Sequence, residues 1–531
     1  MASNQGLLYV TMQPSAGLKE PLFHEWYNNE HGPLRLRLPQ IFTNGLRYRA
    51  TDGEKPTYVA MYDVTDMSLL ETDAYTTLRE NRSPREAETI GQVGIDRKFY
   101  QLIDALQTSS FVAPENLSDE EAEGLVLVAA GIDLKVTEGA VEAYRKWFIQ
   151  EHAPLLSRVP GWRRSRLFKS SNTLLGLHDY SKKNGLGGPQ HKASMNTPWR
   201  SEIFDKYIQK KNMRTWELFY VFGPAPRDLT SLSQVPTDAA FTSADAKTTS
   251  QPGSEASITY FITTADSLTI PYRLEGNTEP GAPTVAFCNS LLTSLHMWDP
   301  FVGILRKNRP DLRILRYDTR GRHAVPRPPV AATLDIVTED LRTVLDALRI
   351  SKLDLLIGVS MGGAATLSFA LKHPDRLKKF IACDFNTTSS AANTQAWKDR
   401  IVVAREDNGQ GIKKLAMQTV SRWFHPSTME KKAETVSWMT DMVASNDVEG
   451  FAHSCTALWD YDLKPQMSSS KVPGLFVVGE GDGKGALVKA MDGFRGSLGD
   501  GSAQLNIVPN AGHLPMCEEP EGFWEAVHEF V

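Results

Sequence analysis

Gly358-Val359-Ser360-Met361-Gly362-Gly363 is the segment of this chain best suited to covalent chemistry. It follows an apolar run at 353–357 and opens a helical stretch, 364–373, that Pro374 stops. Gly-x-Ser-x-Gly alone recurs by chance in about one chain of this length in six at ordinary glycine and serine usage. Its meaning comes from the strand before it and the helix after it, the setting of a nucleophile elbow, where a strained turn lifts a serine hydroxyl above a sheet. The flanking glycines keep side chains out of neighbouring backbone. A serine hydroxyl is a weak nucleophile until a base takes its proton, and the base needs an acid to orient it. The order expected along the chain is Ser, then Asp or Glu, then His. Beyond residue 470 two histidines remain, His513 and His528. His513, in Asn510-Ala511-Gly512-His513-Leu514-Pro515, is placed on a loop after a strand-like run at 505–508; His528 falls in a terminal helix that solvates it. Asp482, in Gly479-Glu480-Gly481-Asp482 after the strand-like 475–478, is the expected acid, with Glu480 and Asp384 as alternatives. Met361, directly after the nucleophile, and Leu291, in Cys288-Asn289-Ser290-Leu291-Leu292, are placed to offer backbone N–H groups to an oxyanion.

The elements that must position these residues alternate. Strand-like runs at 258–263 and 268–274 precede runs at 284–287, 312–317, 353–357, 379–383 and 474–478, with helical patterns between them, as at 334–348. Such alternation predicts a mostly parallel sheet with helices on both faces, an α/β fold.

Asn289-Ser290-Leu291, Met297-Trp298-Asp299-Pro300, Arg316-Tyr317-Asp318-Thr319-Arg320-Gly321 and the elbow together resemble the 3-oxoadipate enol-lactonase branch of the α/β-hydrolases over about residues 256–531. Arg422-Trp423-Phe424 is similar too. The resemblance implies a serine hydrolase acting on a lactone or ester, with catalytic residues Ser360, Asp482 and His513. The chain departs from the pattern at Leu292, at Arg322-His323 and at Gly483-Lys484-Gly485, positions near a pocket mouth, which bears on the substrate more than on the triad. In this fold the helical insertion at about 386–470, with Trp397, Trp423, Trp438 and Trp459, is a cap over the active site. Trp423 is expected to face substrate and the other rings to form the cap's core. Arg320 or Arg422 suits a substrate carboxylate; a surface ion pair is the alternative for either. A C–C bond hydrolase of a β-diketone is a variant of the same reading.

The first half is a repeat. Residues 26–39, Trp-Tyr-Asn-Asn-Glu-His-Gly-Pro-Leu-Arg-Leu-Arg-Leu-Pro, and residues 147–160, Trp-Phe-Ile-Gln-Glu-His-Ala-Pro-Leu-Leu-Ser-Arg-Val-Pro, align without a gap at an offset of 121 positions. It joins Glu30 to Glu151, His31 to His152 and Pro33 to Pro154. Around each lies the order strand, helix, two strands, helix, strand, the ferredoxin-like plan. The Pro after each His marks a helix end or a kink. Closing strands are expected near 99–102 and 216–221. Two copies, 1–115 and 116–225, can pack sheet on sheet and close one barrel. This half resembles the EthD-like group of the dimeric α+β barrel superfamily, which implies that the fused copies stand in for a homodimer. The resemblance also implies a small-ligand site with His31 or His152 as general base; helix-end hydrogen bonding is the alternative role for both. The barrel is then a lyase or cyclase in a bifunctional chain, or a structural or oligomerising module, which leaves a homo-oligomer open. A Ser- and Thr-rich stretch at 226–255 reads as a linker to the hydrolase at 256–531.

Composition sets the outer bounds. The 531 residues are 41% hydrophobic and 23% charged, a globular balance, and length alone suggests about three domains. The formal net charge of −5 argues against a nucleic-acid binder. No apolar run is long enough for a membrane span and the first residues lack a signal-peptide pattern. The four cysteines, Cys288, Cys383, Cys455 and Cys517, show no metal-site spacing and point to a reducing, cytoplasmic setting. No cofactor and no metal is implied; the expected partner is a small-molecule substrate.

Overall fold

The structure, a computed structural model, describes residues 4–531 apart from 81, 172, 238, 244–247 and 328–329. The chain divides near Pro226 into two compact units.

In the first unit, strands with period-two apolar patterning find cover on both faces. β1 (Gly6–Pro14), β2 (Leu46–Ala50), β3 (Tyr58–Val64) and β4 (Val93–Gln107) come first in the chain. β5 (Val126–Leu134), β6 (Trp162–Ser170), β7 (Thr173–Tyr180) and β8 (Ile208–Val221) follow. They form a closed antiparallel barrel in the order β1-β3-β2-β8-β5-β7-β6-β4, in which the first four strands run β4-β1-β3-β2 and the last four β8-β5-β7-β6. Leu7 and Tyr9 share a core with Val59, Met61, Leu127 and Trp216, while Leu8, Val10 and Met12 pack with Phe23, Trp26 and Tyr27 of the covering helix. The closing strands are longer than their apolar cores suggest, 15 and 14 residues. Each spends one half on a strand of its own set of four and the other half on the opposite set: β4 pairs β1 through Val93 to Gln101 and β6 through Gln101 to Gln107. That division is what closes the barrel.

Both histidine-bearing helices carry the same irregularity. Glu20–Trp26 runs into a π-helical turn, Tyr27–His31, then a short helix, Gly32–Leu36. Ala140–Trp147, Phe148–His152 and Ala153–Leu156 repeat it. Pro33 and Pro154 therefore do not end the helices. Each sits in the first turn after the π-turn, where a missing N–H costs little.

In the second unit, β9 (Phe241–Thr242), β10 (Thr249–Gln251), β11 (Ser257–Thr263), β12 (Thr269–Gly276), β13 (Thr284–Cys288), β14 (Arg313–Tyr317), β15 (Leu355–Val359), β16 (Phe380–Cys383), β17 (Gly474–Gly479) and β18 (Gln504–Val508) form one sheet. The order is β18-β17-β16-β15-β13-β14-β12-β11-β10-β9. β13 to β18 are parallel, and β12 to β9 add an antiparallel edge. Every residue of β13, β15 and β16 is buried, as a parallel sheet between helices requires. The stretch read as a linker is more ordered than its composition suggests: it contains a helix, Leu229–Ser233, and the edge strands β9 and β10. Five helices, from Ala391–Gly409 to Val448–Cys455, lie between β16 and β17 and form the cap region. Of its four tryptophans Trp423 is buried, and Trp397, Trp438 and Trp459 are partly buried. Among the described residues no helix is long and apolar enough to cross a membrane.

Candidate active site

The parallel strands bring the candidate residues to one edge of the sheet. β15, β16, β17 and β18 are successive neighbours running the same way. Ser360, Asp384, Asp482 and His513 each follow one of them. Residues scattered over 153 positions thus converge through topology alone, the usual placement of sites in such sheets.

Ser360 occupies the turn between β15 and the helix Met361–Lys372 with φ 60° and ψ −120°, a conformation a non-glycine residue adopts only under constraint. Its N–H donates to the Cys383 carbonyl at 2.9 Å, pinning the turn to the neighbouring strand. Gly362 allows the turn to form: a Cβ there would lie 2.1 Å from the Cys288 carbonyl oxygen and 2.6 Å from that of Asn289. This contact sets the elbow against the loop that carries Leu291. Asn289 fixes the loop, its Nδ2 donating to the Tyr317 carbonyl at 2.9 Å and its Oδ1 accepting from Trp298 Nε1 at 2.9 Å. Met361 opens the helix, where backbone N–H groups have no partner within the helix.

His513 Nδ1 lies 2.7 Å from Asp482 Oδ2. Burial disfavours the charged imidazole, but the Asp482 charge and hydrogen bond outweigh it and raise the His513 pKa above the usual histidine value. Asp482 is thus the acid that reaches the histidine. Glu480 is exposed and its Oε2 instead accepts from the Asn510 N–H at 3.2 Å. Asp384 is fully buried beside the pair: one of its oxygens, one Asp482 oxygen and a His513 ring nitrogen lie within 4.8 Å of one another. Asp384 Oδ1 accepts from the Gly479 N–H at 2.8 Å, and Oδ2 is buried with no hydrogen-bond partner. Burial, then the Asp482 charge, pushes the Asp384 carboxyl well above the carboxylate range. These three residues are the described group whose donor atoms converge as metal ligands must, but His513 Nδ1 and Asp482 are engaged with each other.

The histidine loop has its own support. The His513 N–H donates to the Trp423 carbonyl at 2.6 Å. A Cβ on Gly512 would sit 2.0 Å from that same oxygen. Glu518, almost fully buried, accepts from the N–H of Gly512 at 2.9 Å, from that of His425 at 2.6 Å and from the Thr428 hydroxyl at 2.9 Å. Burial pushes it up to about 7 in spite of these donors. Neither Glu518 nor its role was visible in the sequence; an acid five residues after the histidine is the only trace.

The two arginines part company. Arg320 is buried, its guanidinium forked onto Asp340 at 2.6 and 2.8 Å and held by Asp266 at 2.9 Å. It is committed to the scaffold, which corrects the expectation that it meets substrate. Arg422 is exposed, acts electrostatically on His513, and has no carboxylate partner among the described residues. Arg400, which the sequence did not single out, lies over the Trp397 ring, 4.3 Å from its centroid, and feels the charge of Arg422. Trp423 is buried, with its ring centroid 5.8 Å from that of His513.

In the barrel, the structure separates the two histidines. His31 is buried with Nδ1 2.5 Å from Glu86 Oε1. His152, equally buried, lines a cavity of about 490 Å³ and leaves Nδ1 without a partner.

Residues 283–520 match the family described as alpha/beta hydrolase fold. The 3-oxoadipate enol-lactonase 2 of Acinetobacter baylyi is 29% identical over 264 residues, 50% of this chain and 93% of that protein. The 3-oxoadipate enol-lactonase 1 of the same organism is 28% identical over 270 residues, 51% of this chain and 96% of that protein. The crystal structure of the enol-lactonase from Burkholderia xenovorans LB400 is 29% identical, with a TM-score of 0.44, over 51% of this chain and 98% of that one. The family match and the two Acinetobacter relatives make the C-terminal half an α/β-hydrolase related to 3-oxoadipate enol-lactonases, and the protein a hydrolase.

Proposed function

We propose that this hydrolase cleaves a lactone or ester through Ser360, His513 and Asp482. The observation that carries the reading is the 2.7 Å bond between His513 Nδ1 and Asp482 Oδ2 at the sheet edge where Ser360 stands on its strained turn. In the proposed reaction His513 Nε2 takes the Ser360 proton as Oγ adds to the carbonyl carbon. The N–H groups of Leu291 and Met361 hold the oxyanion, each worth about 10²–10³ in rate in such sites. Collapse expels the alkoxide or enolate, which leaves protonated from His513; a lactone stays in one piece as an acyl chain on Ser360. Water, deprotonated by His513, then releases the acid and restores the serine. Asp482 keeps the imidazole in the tautomer that presents Nε2 to the serine.

Arg422 and Arg400 support a substrate that itself bears a carboxylate. Arg422 acts on His513 and Arg400 on Arg422, and without acids of their own among the described residues they leave positive charge for substrate to neutralise. The names of the relatives, 3-oxoadipate enol-lactonases, agree with that chemistry. The test is hydrolysis of 3-oxoadipate enol-lactone against neutral lactones and simple esters. The reading expects turnover of the carboxylate-bearing lactone at lower KM than its neutral analogues; failure to hydrolyse any lactone or ester would end it.

For the barrel, the strand orders β4-β1-β3-β2 and β8-β5-β7-β6 and the paired π-turns support two ferredoxin-like repeats of the EthD-like kind.

A further inference from the structure

Copy one and copy two of the barrel carry the same helix start with opposite charge. In copy one Ser83-Pro84-Arg85-Glu86 opens the helix Pro84–Ile90, and in copy two Thr197-Pro198-Trp199-Arg200 opens the helix Pro198–Tyr207. Ser83 caps the N–H of Glu86 and Thr197 caps that of Arg200. The same hydroxyls reach back to the repeated glutamates: Ser83 Oγ donates to Glu30 at 2.5 Å and Thr197 Oγ1 to Glu151 at 2.7 Å. Both histidines pack on the repeated tryptophans, His31 tilted against Trp26 at 4.9 Å and His152 stacked on Trp147 at 4.5 Å. The two sites therefore match at the tryptophan, the glutamate, the histidine and the capping hydroxyl, and Arg200 holds the position after the cap that Glu86 holds.

The exchange removes a carboxylate. In copy one Glu86 supplies the partner of His31 Nδ1. In copy two the corresponding Nδ1 of His152 is buried and has none, since a guanidinium cannot accept a hydrogen bond. Beside it opens the cavity of about 490 Å³, within the range that holds small ligands. Its walls include Ile132, Tyr144, Trp147 and Phe204, and its polar groups include His178, Arg200 and Lys211. No Asp or Glu lines it among the described residues. Arg200 lies 4.0 Å from the Phe204 ring centroid and pairs with no carboxylate among the described residues. Burial lowers its pKa, as expected of a cation without an anion.

We propose that this cavity in copy two binds a small aromatic carboxylate, whose carboxylate takes the place that Glu86 fills in copy one, between His152 and Arg200, with its ring among Tyr144, Trp147 and Phe204. In copy one Glu86 already partners the histidine; in copy two that place is left for a ligand. The inference stands apart from the hydrolase reading, because it uses none of the same residues.

Titration calorimetry of the full chain with 1-naphthoate and with neutral 1-naphthamide tests it. Loss of a charge-assisted pair costs about tenfold in affinity or more, so naphthoate should bind at least about tenfold tighter than the amide. Arg200→Glu should supply the missing carboxylate internally and weaken naphthoate by at least about tenfold, leaving esterase turnover unchanged. Arg200→Gln serves should the charge reversal unfold the barrel, and the comparison of the two ligands on the unmodified chain needs no variant. Equal binding of acid and amide, no binding of either, or naphthoate affinity unchanged in a folded Arg200 variant would overturn the proposal.

Discussion

Asp384 and Asp482 end neighbouring strands and hold carboxyl oxygens within 4.8 Å of each other and of a His513 ring nitrogen. Two carboxylates so close do not both ionise cheaply, and the more buried one takes the proton. Asp384 is that one, and the charge is left on Asp482, where the imidazole uses it.

The two acids should therefore respond differently to amidation. Asp482→Asn should lower kcat by up to about 10⁴, as loss of the orienting carboxylate does in such triads. Asp384→Asn keeps an acceptor for the Gly479 N–H and should stay within about tenfold of the parent. In the parent, kcat/KM should fall as pH drops through a His513 midpoint above the ordinary histidine value, because the base must be neutral. The residual activity of Asp482→Asn should show that limb at lower pH. Steady-state pH profiles of the three proteins decide it; equal losses in both variants would make Asp384 a partner in catalysis.

Glu518 should make stability fall as pH rises. Its folded pKa, about 7, lies above the unfolded value of 4.5. Between them the folded chain holds the proton that the unfolded chain has lost, so stability declines from about pH 4.5 and levels off above about pH 7. The span corresponds to roughly 3 kcal/mol at most. Glu518→Gln removes this slope, whatever its cost at low pH, so the stability difference between variant and parent should move in favour of the variant from pH 5 to pH 8. Denaturant melts at both values measure it, and parallel shifts would contradict the assignment.

Gly362→Ala places a methyl against two carbonyl oxygens that belong to backbone and cannot swing away. The loop of Leu291 must shift. A loss of about 1–3 kcal/mol in stability is expected. The accompanying fall in kcat should approach the roughly 10²–10³-fold loss of one oxyanion donor. Full activity in this variant would show that the elbow and the loop do not cooperate.

Arg320 and Arg422 should separate stability from recognition. Arg320→Met strands Asp340 and Asp266 and should cost about 3–5 kcal/mol with little change in KM. Arg422→Met should leave the melt unchanged and raise KM about tenfold for a carboxylate-bearing lactone, but not for a neutral ester. The reverse pattern would exchange their roles.

Much of this arrangement is legible before folding. The glycines around Ser360, the order Ser360, Asp482, His513 and the strand-like runs before each are local features, and parallel topology converts them into proximity. The 121-position repeat is legible for the same reason, as a direct likeness between segments. What escapes are relations between distant residues. Asp384 and Asp482 look alike in sequence, each a strand-end acid, and only the histidine's direction tells them apart. Arg320 reads as a free cation until Asp266, 54 positions away, and Asp340 fold onto it. β9 and β10 are short, polar and paired at a sheet edge, so their composition is that of a loop. The contrast of Glu86 with Arg200 needs two helix starts to be superposed, and no periodicity signals it.

Covalent capture of the acyl group tests the central claim most directly. Rapid quench of the enzyme with p-nitrophenyl acetate, followed by peptide mass spectrometry, should find one acetyl group on the peptide carrying Ser360. That adduct should be lost in Ser360→Ala together with turnover and should persist longer in His513→Ala, where water is no longer activated. Turnover that continues in Ser360→Ala, or an acetyl group borne by another residue while Ser360 stays free, would contradict the account.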